Sequence, residues 1–101
     1  MTAVSLPPPS RAFIVHEAAA RIRRTAEATR GELADNGYWS SGWAVGVENA
    51  IGGAAGELAA LFPPELALRL ADWLDERASA TARFGDPLPP LALAIADSTT
   101  P

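Results

Sequence analysis

His16 is the only imidazole in the chain, and it stands in His16-Glu17-Ala18-Ala19-Ala20. The second His, four residues on, that a zinc-protease helix needs is missing. With one His and no Cys, the side chains offer no zinc or other soft-metal ligand set. Nucleophilic catalysis needs a nucleophile, a base and a group that orients the base. Ser40 and Ser41 lie in a turn-forming stretch, no G-x-S-x-G occurs, and His16 would be the sole imidazole base. Asp72, Asp75 and Glu76, with Glu65, are spaced to share one face of a helix. Acid-pair hydrolysis needs two carboxyls across a cleft in different environments, so these read as a solvated face. Gly52-Gly53-Ala54-Ala55-Gly56 has the glycine of a phosphate loop but not its Lys or Ser/Thr. No catalytic, cofactor-binding or metal-ligating residue is assigned, and the chain is read as non-enzymatic.

The residues best suited to binding are aromatic. Tyr38, Trp39 and Trp43 crowd the stretch NGYWSSGW, and Tyr and Trp bury much area at low entropy cost. Trp43 falls on an apolar helical stripe. Tyr38 and Trp39 are therefore the candidate protein-interaction residues, together with Gly52, Gly53 and Gly56 on a smooth face.

These residues must be positioned by helices. Ser10 is a candidate N-cap for a first helix over about Arg11 to Asp35. There Val15, Ala18, Ala19, Ile22, Ala26, Thr29 and Leu33 form one stripe, and Glu17 with Arg21 has the favourable i, i+4 order. Asn36-Gly37 is the stop. Ser41 is a candidate cap for a second helix, roughly Gly42 to Leu61. One of its faces is bulky, with Trp43, Val47, Ile51, Ala54, Leu58, Leu61 and Phe62. The opposite face is small, with Gly46, Gly52, Gly53 and Gly56. Each interior Gly costs about 1 kcal/mol relative to Ala. Either this helix breaks near Gly52-Gly53 or its smooth face admits another backbone closely.

Pro63-Pro64 starts a third helix, about Pro64 to Arg83, with Glu65 suited to its first turn and Gly85-Asp86-Pro87 as its stop. Arg77 falls inside its apolar stripe. A guanidinium there needs a partner, and Glu57 or Glu48, at the edges of the second helix's bulky stripe, is the expected one. Leu88 to Asp97 is expected as a short C-terminal helix. The fold expected is an all-α bundle of three main helices plus that short one. Residues 10–97 form one domain between a flexible Pro-rich lead, 1–9, and a flexible tail, 98–101.

Composition narrows the partners. The chain has 101 residues, twelve carboxylates and eight cations, all Arg, for a net charge of −4. Nucleic-acid binding draws on uncompensated cations, so nucleic acid is disfavoured. An Arg cluster on the first helix (Arg21, Arg24, Arg30) is the alternative, and an acidic decoy for a basic partner, through Glu65, Asp72, Asp75 and Glu76, is another. Neither a signal peptide nor a membrane span is read, and a cytoplasmic protein is expected. The core is thin for this length, so the expected function is protein–protein interaction, including self-association as a homodimer, with no cofactor. The lack of Lys, the richness in Ala and Arg, and the string PPELALRLADWLDERA (Pro63 to Ala78) resemble small uncharacterised helical proteins of high-GC actinobacteria and their phages. That resemblance implies no activity and transfers no functional residue.

Overall fold

The structure, a computed structural model, describes residues 10–99. Five α-helices and one 3-10 turn follow in order: α1 (Arg11–Asp35), the turn (Gly37–Trp39), α2 (Trp43–Ile51), α3 (Gly53–Ala60), α4 (Pro64–Phe84) and α5 (Pro90–Thr99). No strand occurs among the described residues. The all-α expectation holds, but the second helix is two helices. The Pro-rich lead lies outside the described residues, as do residues 100 and 101. Ser98 and Thr99, expected in a flexible tail, belong to α5.

Local signals set most of the boundaries. The Ser10 hydroxyl accepts from the Phe13 N–H at 3.1 Å and caps α1. Pro64 opens α4, with Glu65 in its first turn, and Gly85 closes it. Ser41 does not cap α2. The cap position is Gly42, and no side chain bonds the first turn. Glu17 and Arg21 do not pair. The Arg21 guanidinium donates instead to the Thr99 carbonyl at 2.7 Å, tying α1 to the end of α5.

The core lies where α1 packs against α4 and α5. It is built mostly of alanine: Ala12, Ala18, Ala19, Ala71, Ala78, Ala92 and Ala96 surround Val15 and Leu74. Small side chains let the helix axes approach closely, and Ile14, Ile22, Leu70, Trp73 and Ile95 close the edges. The bundle has no room in this core for α2 and α3. They pack on each other, and α2 also packs on the 3-10 turn at the end of α1. The molecule is consequently long, 59 × 32 × 24 Å, with a radius of gyration of 17.3 Å. A compact chain of this length would have about 13 Å.

The break between α2 and α3 is a backbone event. Gly52 and Gly53 have φ of 76° and 61°, a region in which L side chains are strained by about 1–2 kcal/mol. Space is not the constraint there, because a Cβ at either residue would meet nothing within 4 Å. Gly56 is different. It is buried, and a Cβ on it would lie 3.3 Å from the Glu48 Cα. The close backbone approach expected of the smooth face is thus made within the hairpin, by Gly56 alone of the three glycines.

Arg77 corrects another expectation. It meets neither Glu57 nor Glu48. Its guanidinium lies 3.8 Å from Glu76, its neighbour in α4, with 37 % of the side chain exposed. The reason is topological: α2 and α3 lie against the 3-10 turn and each other, not along α4.

These contacts fix the sign of two substitutions. Gly53→Ala should lower stability by about 1 kcal/mol, although the site is open and opens a helix. Gly46→Ala should cost about 1–3 kcal/mol, because the new methyl would overlap the Trp39 ring. Thermal or denaturant melts check both. An unchanged melt for Gly53→Ala would mean that the two helices join into one.

Candidate interaction surface

An aromatic corner holds the α2–α3 hairpin. Asn36 bends the chain after α1 by accepting the Tyr38 N–H on its side chain at 2.9 Å. The Tyr38 and Trp39 rings then meet edge to face, with centroids 5.0 Å apart. Trp39 stacks on Trp43, centroids 5.6 Å apart and planes within 13°. The Trp39 ring also covers Gly46, which is buried beneath it. The Tyr38 hydroxyl donates to the Gly46 carbonyl at 2.9 Å. The Trp43 indole N–H donates to the Ala59 carbonyl at 3.1 Å, joining the start of α2 to the end of α3. Trp43 was expected in the apolar stripe, and it is partly buried. Trp39 is also partly buried, whereas Tyr38 is 52 % exposed. Trp39 is therefore the centre of the corner rather than its exposed member.

Held this way, the hairpin shows its bulky residues to solvent. Val47 is buried, but Ile51, Leu58, Leu61 and Phe62 are 57 %, 61 %, 68 % and 57 % exposed. Ala54, Leu58, Leu61 and Phe62 follow helical spacing, so they form one stripe along α3 and its continuation. Single exposed apolar residues are ordinary, but a contiguous stripe marks an interaction surface. Gly52 and Gly53, expected as interaction residues, make the bend that creates the hairpin.

Beside the stripe is an open apolar groove of about 300 Å³. Ile22 and Ala26 of α1, Trp43, Phe62, and Pro64 and Ala67 of α4 wall it, and Arg21 and Thr99 close one end. Phe62 belongs to both features, so the stripe runs into the groove. The Thr25 and Thr29 hydroxyls of the groove are bonded back to the Arg21 and Thr25 carbonyls of their own helix.

A second constellation joins α1 to α4. His16 Nδ1 lies 2.8 Å from one Asp75 oxygen, and Arg23 donates to the other at 2.7 Å. Arg23 also reaches Asp72 at 3.1 Å. Because an ionised carboxylate only accepts, the His16 Nδ1 carries the proton. Burial pushes the Asp75 carboxyl up, but the hydrogen bonds from His16 and Arg23 together hold it below the usual value. The bond to Asp75, then that to Asp72, raises Arg23.

An Asp–His pair is the orienting half of a nucleophilic triad. Among the described residues, no hydroxyl bonds the other ring nitrogen of His16. No group of His, Asp and Glu there could hold a metal ion. The contacts join α1 to α4 as a strut. Two signals were present in the sequence: His16 and Arg23 are seven apart on one helix face, and Asp72 and Asp75 are three apart on another. Only the packing of α1 on α4 matches them.

The other cations are dispersed. Arg21 is bound to Thr99, and Arg30 lies 3.9 Å from Glu27. No helix among the described residues is long and apolar enough to cross a membrane. No family model, curated protein or solved structure matches the chain.

A carboxyl held down in the folded state adds stability above its unfolded pKa of ~3.9, and that stability is lost as pH falls through the folded value. Asp75→Asn should therefore cost about 1 kcal/mol at neutral pH, a charged hydrogen-bond value discounted for partial exposure. The difference from the parent chain should vanish in strong acid. Melts across pH 2 to 7 check this, and a gap that persists unchanged into acid would contradict it.

Proposed function

We propose that the chain is a non-enzymatic protein-binding module whose working surface is the stripe Leu58, Leu61 and Phe62 on α3 and its continuation. The observation that carries this reading is the exposure of those three side chains on a hairpin that the aromatic corner fixes in place. The hairpin would bring a pre-formed apolar surface to its partner, which lowers the ordering cost of binding.

A homodimer through the same stripe is the second reading, favoured by the small alanine core. The nucleic-acid reading keeps Arg24 exposed, but Arg21 and Arg30 already face a carbonyl and a carboxylate. The acidic-decoy reading loses Asp72 and Asp75 to Arg23 and His16.

Site-specific photo-cross-linking in the native host tests the reading. A cross-linker at Leu58 should give a discrete protein adduct. One at Ala82, exposed on α4, should not, and Leu61→Ser should remove the Leu58 adduct. The same adduct from both positions, or none from Leu58, would overturn the assignment.

A further inference from the structure

We infer that the groove between α1 and α4 is a binding site for a single-chain amphiphile with a carboxylate head. Its apolar chain lies along the groove and its carboxylate meets Arg21. The inference is independent of the protein-binding reading, although Phe62 borders both surfaces. It follows from where the polar side chains of the lining send their hydrogens. No carboxylate lines the groove, and Arg21 at its end is the single charged residue there. The Thr25, Thr29 and Thr99 hydroxyls each donate to a carbonyl of their own helix. A hydroxyl whose hydrogen is committed in this way offers only lone pairs. The Trp43 indole N–H donates to the Ala59 carbonyl. Arg21 alone keeps donors for a ligand. A guanidinium carries five N–H bonds, and among the described residues Arg21 makes one hydrogen bond, from Nη1 to the Thr99 carbonyl. That bond also holds the guanidinium at the groove's end, where α1 meets the last turn of α5.

Shape and chemistry together select the ligand. The volume, about 300 Å³, is at the small end of ligand pockets, which run from ~300 to ~1,000 Å³. A sugar or a nucleotide would lay many polar groups on apolar walls. A cationic head would meet Arg21 and no carboxylate. A hydrocarbon chain instead leaves water against Ile22, Ala26, Trp43, Phe62 and Ala67. A carboxylate at its end takes a charge-assisted, fork-shaped contact from Arg21.

The test is calorimetric titration of the full chain, below micelle-forming concentrations, with decanoate, hexanoate, decan-1-ol and decyltrimethylammonium. Decanoate should bind at a single site. Hexanoate should bind weaker by about tenfold or more, because its chain buries less apolar surface. Decan-1-ol should bind weaker by about fivefold, the size of one exposed ion pair. Decyltrimethylammonium should bind weaker by about tenfold or more, because its head is repelled. Arg21→Gln should lower decanoate to the level of decan-1-ol, and Arg21→Lys should keep the preference for the acid. Arg24→Gln makes the same change in net charge on an exposed residue outside the groove and should leave the preference intact.

Equal binding of the three ten-carbon ligands, or no binding of decanoate, would overturn the inference. So would an Arg21→Gln chain that still prefers the acid. An affinity for decanoate that falls as protein concentration rises would overturn it too, because a second copy would then hold the groove. The comparison of ligands on the unaltered chain decides the outcome even where a variant fails to fold.

Discussion

The placement of the α2–α3 hairpin depends on one contact, the Trp39 ring lying on the bare backbone of Gly46. Helices of nine and eight residues are too short to persist by themselves in water. Here a large flat ring replaces the side chain that Gly46 lacks. Trp43 stacks on that ring and reaches across to Ala59, and Tyr38 bonds the Gly46 carbonyl. The hairpin is thus ordered from its base, and its bulky stripe is not needed to hold it. A surface that contributes little to folding is open to be used for something else.

Helices α1, α4 and α5 supply the platform. Their core is narrow because it is mostly alanine, and each alanine removes less apolar surface from water than a leucine would. Polar struts at the edge supplement it. Asp75 receives His16 and Arg23 from α1, and Arg21 holds the last turn of α5. These struts use two of the eight arginines, and the other six also lie outside the hairpin. The hairpin, which has no cation of its own, is left with carboxylates only.

Punctuation was legible in the sequence. The Ser10 cap, the start of α4 at Pro64, its stop at Gly85 and the span of α1 all follow from side-chain chemistry within a few residues. The Gly52-Gly53 bend was one of two alternatives, and their positive φ values make it the outcome. What a helical wheel cannot supply is the neighbour. It places Leu58, Leu61 and Phe62 on one face, but not whether that face is covered, and it adds Ile51, which the bend at Gly52-Gly53 turns toward Gly56. It places Arg77 in the α4 stripe, but the partner expected for it stands on a hairpin that lies elsewhere. It shows His16 and Asp75 on polar faces, but their contact is a fact of how α1 meets α4. The stripe was legible as residues and illegible as a surface.

The central claim is that the stripe is uncovered in the isolated chain. The chain has no Cys, so single-cysteine variants report accessibility one position at a time. The measurement is the maleimide labelling rate of Leu58→Cys, compared with Glu76→Cys on the open face of α4 and Leu74→Cys in the core. The account predicts that Leu58→Cys labels about as fast as Glu76→Cys at every protein concentration, while Leu74→Cys stays protected. Protection of Leu58→Cys in the isolated chain would contradict it, because the hairpin would then be folded onto the bundle or onto a second copy.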